Sequence, residues 1–222
     1  MTGVVELINM EIEKQSLLKH PFYQMWSEGK LNANHLQGYS KEYFNLVQAV
    51  PEFVRNIRGL TNDASLEGML AQNLREESDH VEAWMKFAIS LGVSRDELLN
   101  HRSARKTREA VLALNSLTRL SLEEAAAAMY AYESELPKIS TSKINGLMKY
   151  YGIDNSDATS YFEIHKEADI RHAGMWRDIL ETVSSDKIES VFDAGFKSLE
   201  AQNRLLDSIQ ERYVGQYWLA PS

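Results

Sequence analysis

There is no cysteine in the 222 residues of this sequence. That excludes disulfides, Cys-ligated zinc, iron–sulfur clusters and thiol nucleophiles. Any metal site must be built from His, Asp, Glu, Tyr and water. Breakers are scarce too, with 4 prolines and 11 glycines. The long stretches between them are rich in Ala, Leu, Glu and Lys, which predicts an all-α fold. Nowhere do polar and apolar residues alternate for long enough to suggest a sheet. An excess of basic charge is also missing: 24 Lys and Arg stand against 32 Asp and Glu, a net charge of −8. Phosphate binding needs a basic face, so nucleic acid is not the default partner. The one basic cluster, Arg102, Arg105, Lys106 and Arg108, reads as a solvated helix start. The longest apolar run, Ala125 to Tyr132, is far below the ~20 residues of a membrane span. The first residues carry Glu6, Glu11 and Glu13 where a secretion signal has a basic leader. These features predict a cytoplasmic protein without a membrane partner, folded as a single helical domain over 1–222.

The apolar spacing predicts helices at 3–18, 21–28, 32–60, 65–91, 104–118, 121–150, 156–184 and 186–213. Asn62/Asp63 and Asp154/Asn155 are suited to cap the helices that follow them. Pro51 and Pro137 fall within long helical patterns and are expected to kink them. Trp218, near the end, is a candidate to pack over the bundle.

The informative feature is polar residues where the core should be. In the 65–91 helix the apolar stripe runs Leu66, Leu70, Asn73, Glu77, His80, Trp84, Phe87, Leu91. In the 156–184 helix it runs Ala158, Phe162, His165, Asp169, His172, Trp176, Ile179, Val183. In the 121–150 helix it runs Leu122, Ala126, Met129, Glu133, Leu136. Three helices therefore aim ionisable groups inward near mid-length. A buried carboxylate must neutralise, pair or bind a metal. No Lys or Arg shares those mid-helix stripe positions, so a divalent metal pair resolves the charge. Carboxylate-x-x-His sets two ligands one turn apart on one face, and Glu77/His80 and Asp169/His172 both have that spacing. Glu76, four before His80, is the alternative to Glu77, which lies on the stripe. The opposite face of the 65–91 helix, Glu67, Arg75, Glu82 and Lys86, reads as solvent-facing. Of the other histidines, His101 is expected at the surface, His35 at the surface or in a dimer contact, and His20 in a turn.

Beyond Leu136 the stripe continues through Ser140, Lys143 and Leu147. Two readings of Lys143 stand: the Pro137 kink turns it to water, or it is a desolvated amine able to act as base or nucleophile. The 32–60 helix has the stripe Leu36, Ser40, Tyr43, Val47, Val50, Val54, which sets the Tyr43 hydroxyl among apolar residues.

The segments HPFYQMWSEGKL (20–31), YSKEYF (39–44), NLREESDHVEAW (73–84), YESELPKISTSKINGL (132–147) and YFEIHKEADIRHAGMW (161–176) together resemble a known family. It comprises the Chlamydia protein associating with death domains and its bacterial homologues. They are a branch of the haem-oxygenase-like dimetal oxidases, related to pyrroloquinoline-quinone synthase and thiaminase II. The resemblance implies a seven-helix haem-oxygenase-like bundle, in a homodimer. It implies six metal ligands, Glu77, His80, Glu133, His165, Asp169 and His172, the set that the stripes single out. It implies two metal ions, Fe/Fe or Fe/Mn, using dioxygen and an external reductant. The implied activity is p-aminobenzoate synthesis for folate from the protein's own tyrosine. Tyr23 matches that tyrosine, Lys143 the proposed amino donor, and Tyr43 a second tyrosine near the metals. Thiaminase chemistry is disfavoured by the missing cysteine, and cofactor-free quinone synthesis by the acidic pocket. A dimetal oxidase acting on an external small molecule, and a non-catalytic interaction or regulatory protein, stay open as alternatives.

Overall fold

The computed structural model describes residues 3–215. Ten α-helices follow one another: α1 (Val4–Lys14), α2 (Pro21–Ser27), α3 (Ala33–Arg58), α4 (Ala64–Ser90), α5 (Arg95–Leu99), α6 (Arg105–Leu117), α7 (Leu122–Glu133), α8 (Leu136–Tyr150), α9 (Ser156–Leu180) and α10 (Ile188–Ile209). Among the described residues there is no strand, as expected. The expected capping residues are in place: Asp63 accepts from Leu66 N at 2.8 Å and Asn155 from Ala158 N at 2.9 Å. No helix among the described residues is long and apolar enough to cross a membrane. Trp218 lies outside the described residues.

Among the described residues the count exceeds the seven helices that the resemblance implies, and it exceeds the eight expected from the apolar spacing for two local reasons. Ser94 forms a capping box with Glu97 and starts the short α5. The single helix expected over 121–150 is two helices. Glu133 ends α7, and Pro137 lies in the first turn of α8, where its missing N–H has no intrahelical acceptor to lose. Pro137 therefore starts a helix; it does not kink one. Pro51, by contrast, stands inside α3.

α4 and α9 pack against each other at the centre, with α3 against α4, and α7 and α8 against α9. α10 closes the other side against α6 and α7. The stripes predict this core well. Trp84, Phe87, Phe162 and Trp176 are buried, as are Leu36, Ser40, Tyr43, Val47, Val50 and Val54 of α3. Glu67, Arg75, Glu82 and Lys86 face water.

Candidate metal centre

Three helices converge on one polar pocket inside this core. α4 contributes Glu77 and His80, α7 ends on Glu133, and α9 contributes His165, Asp169 and His172. None of the six is more than 5 % exposed. Donor atoms of Glu77, His80 and His165 lie within 4.8 Å of one another, and so do those of Glu77, Glu133 and His172. Glu77 is common to both groups. Its Oε2 is 3.2 Å from His80 Nδ1 and its Oε1 3.4 Å from His172 Nδ1. Asp169 Oδ1 is 3.9 Å from His172 Nδ1.

Outer partners hold several of these groups. His165 Nδ1 donates to the Tyr161 carbonyl at 2.6 Å, which leaves Nε2 free. Trp176 Nε1 donates to Glu133 Oε2 at 2.6 Å. His172 Nε2 meets Glu76 Oε2 at 2.8 Å. The inner atoms are left over: Glu133 Oε1, both Asp169 oxygens and His172 Nδ1 have no hydrogen-bond partner. Burial, and then the charge of Glu77, pushes the Glu133 carboxyl well above the usual range. Burial, and then Glu133 and Glu77, does the same to Asp169. Burial and then His80 push His165 down to about 4. Burial also pushes Glu77 up, but the hydrogen bond from His80 and the three surrounding imidazoles outweigh it and hold it low. Unpartnered buried polar atoms cost about 1–3 kcal/mol each. Divalent cations satisfy this mixed oxygen and imidazole donor set, so the residues fit a metal pair.

A second pocket adjoins the first. Lys143, on α8, is buried at 3 % exposure, so the solvent-facing reading of this residue is overturned. The stripe Leu136, Ser140, Lys143 and Leu147 stays buried across the break between α7 and α8, so Lys143 faces inward. Its amine donates to the Tyr39 hydroxyl and lies 4.1 Å from the Tyr23 ring centroid. Burial lowers its pKa well below the ordinary lysine value. Tyr43 is farther off, with Lys143 Nζ at 5.8 Å from its ring, and stacks on Trp84 at 5.1 Å. Tyr161 stacks on His165 at 4.0 Å and joins the two pockets. The cavity between Tyr23, Tyr43, Lys143, Tyr161 and His165 measures only about 10 Å³.

Known proteins resemble this chain in sequence and in fold. The profile of the TENA/THI-4/PQQC family matches residues 7–210. The chain belongs to this family. A 4-aminobenzoate synthase of Chlamydia pneumoniae is 36 % identical over 188 residues, covering 82 % of this chain and 84 % of its own. Among solved structures, a TenA homologue of Pseudomonas syringae superposes with a TM-score of 0.82 at 17 % identity, covering 93 % of this chain and 92 % of its own. A Shewanella denitrificans domain with a haem oxygenase-like fold superposes at 0.77 with 15 % identity, covering 99 % and 95 %. This TENA/THI-4/PQQC chain therefore has the haem-oxygenase-like fold, with a helix count above seven.

One other expectation needs correction. His101 is not at the surface: its Nε2 lies 3.0 Å from Oε1 of Glu42, a fully buried carboxylate on α3. His20 lies in the expected turn, where it is buried and serves as the N-cap of α2, accepting from Phe22 N. His35 stands where expected, at the surface in the first turn of α3, in a capping box with Asn32. Tyr39 is the residue that the sequence reading missed. It sits one row away from the Tyr43 stripe, four residues earlier, and both tyrosines face inward. Its spacing to Tyr43 was the available signal.

Proposed function

We propose that this chain is a dioxygen-dependent 4-aminobenzoate synthase that uses its own side chains as substrate. Tyr23 supplies the carbon framework and Lys143 the nitrogen: the ring C–N bond replaces the ring C–O bond, whose oxygen leaves as water, the Lys143 Cε–Nζ and Tyr23 Cα–Cβ bonds break, and dioxygen oxidises Cβ to the carboxylate, so each chain turns over once. The proposal includes a cytoplasmic homodimer, a single domain over 1–222 and an external reductant. Glu77, His80, Glu133, His165, Asp169 and His172 are proposed to hold two ions, Fe/Fe or Fe/Mn. When bound, that pair supplies the electrons for dioxygen reduction and the oxidising power directed at the tyrosine ring.

The single observation that carries this reading is the Lys143 amine, 4.1 Å from the Tyr23 ring in a closed aromatic box. Burial holds the amine neutral to lower pH than an exposed lysine, and a neutral amine keeps the lone pair that forms a C–N bond. The Tyr39 hydroxyl accepts its proton-bearing side and fixes its direction. Tyr23 and Tyr39 hydroxyls are 3.4 Å apart, so one hydrogen-bonded line runs from the amine to the ring that it would aminate. Phe22, Trp26 and Phe162 help to exclude water from the box. A cavity of about 10 Å³ holds roughly one water. External substrates occupy cavities of ~300 Å³ or more, which favours an internal one.

The test is aerobic incubation with Fe(II), Mn(II) and a reductant, followed by peptide mass mapping. The expected result is 4-aminobenzoate formed together with altered masses at Tyr23 and Lys143. Product formed while both masses stay unchanged overturns the self-sacrificing reading and leaves an external substrate.

A further inference from the structure

Glu76 is next to Glu77 in sequence but points elsewhere. Its side chain is 25 % exposed and lines a cavity of about 210 Å³ between α4 and α9, which reaches His172. Gln72 Nε2 donates to its Oε1 at 2.9 Å, and the Arg171 guanidinium donates to both oxygens at 3.3 Å. So held, its Oε2 accepts from His172 Nε2 at 2.8 Å. The other face of the same imidazole looks inward. Its Nδ1 lies 3.4 Å from Glu77 Oε1 and 3.9 Å from Asp169 Oδ1, with no hydrogen-bond partner.

We propose that Glu76 is the positioning residue of the metal centre: it locks the His172 proton on Nε2 and aims the Nδ1 lone pair at a divalent cation. The inference rests on the metal-dependent reading above. An imidazole tied through its outer nitrogen has a fixed tautomer, a fixed ring angle and a more basic inner nitrogen. Within this site the Tyr161 carbonyl plays the same part for His165. Glu76 differs in that it is charged, and in that Arg171 and Gln72 brace it from the solvent side. The assignment separates two adjacent glutamates by role, Glu77 inside as a ligand and Glu76 outside as its neighbour's brace.

The experiment has two readouts, and neither needs turnover. The first is the nitrogen-15 signature of His172 in metal-free protein, where wild type is expected as the Nε2–H tautomer. Glu76→Ala is expected to mix the tautomers, and Glu76→Gln, which keeps an acceptor, to restore the wild-type signature. The second is Mn(II) affinity and stoichiometry by competition with a chelator. Glu76→Ala is expected to weaken binding about 10–100-fold, with Glu76→Gln in between and two ions still bound. In a His172→Ala background, Glu76→Ala is expected to change nothing further. An unshifted tautomer, an unchanged affinity, or additive losses in the double variant overturn the proposal. So does a fall to one bound ion in Glu76→Ala with the tautomer intact, which makes Glu76 a ligand itself. Wild-type protein that binds no Mn(II) overturns this inference and the metal-dependent reading together. Loss confined to the Glu76 comparisons leaves that reading standing.

Discussion

Lys143 and the pair Glu133/Asp169 carry opposite electrostatic burdens. Lys143 binds a proton less readily in the folded chain than in the unfolded one, whose value is about 10.4. Below about pH 10 this lysine therefore opposes folding, increasingly so as pH falls toward its lowered value. Lys143→Met is expected to raise the melting temperature, most at neutral pH, with the gap to wild type closing toward about pH 10. The same variant is expected to retain metal and to form no 4-aminobenzoate. Thermal melts across pH and product assays check both halves. Glu133 and Asp169 are held protonated to higher pH than ordinary carboxyls. Metal uptake must displace those protons, so Mn(II) affinity is expected to fall as pH drops from about 8 to 6. Calorimetry in buffers of different ionisation enthalpy is expected to register the released protons.

At the scale of helices, the sequence reveals the site better than the route by which the chain reaches it. The stripes of α4, α7 and α9 bring all six acidic and imidazole residues to one pocket, because polar residues within an apolar row have nowhere else to point. The division at Glu133–Leu136 is not visible in apolar spacing, since Leu136 satisfies both phases. It is Pro137 that decides, and its role reverses once it starts a helix. Spacing to Tyr43 sets Tyr39 on the inward face, but its contact with Lys143 and the Glu42–His101 contact join residues more than fifty positions apart, which periodicity does not encode. The approach of α2 to α8 gives an element-scale prediction. A Cβ added at Gly146 would meet Trp26 Cδ1 at 2.5 Å and Nε1 at 2.6 Å. Trp26 Nε1 also donates to the Lys143 carbonyl at 3.1 Å. Gly146→Ala is expected to push α2 outward and carry Tyr23 away from the amine. The expected cost is about 1–3 kcal/mol of stability, with a larger proportional loss of product than of folded protein. Melting curves and product yield on the same sample check this.

For the whole molecule, the proposed chemistry fixes a stoichiometry. Product is expected to plateau at no more than one 4-aminobenzoate per chain, however long the incubation, and to scale with protein. Titrating protein against product measures it. Metal is expected to stabilise the fold by mass action, about 2.7 kcal/mol at a hundredfold excess over its dissociation constant, and chelation to reverse the gain.

The closed aromatic box around Lys143 then has a thermodynamic afterlife. A ring taken from Tyr23 leaves a void beside Phe22 and Tyr39 where a large side chain was packed. Emptying such a site costs about 3–5 kcal/mol. Spent chains are expected to melt as a separate, lower transition whose share grows with product, so that calorimetry counts used and unused molecules in one tube. A population marked by its own hollow core is also the one that unfolds first, and proteases that sample unfolded chains would remove it ahead of the fresh protein.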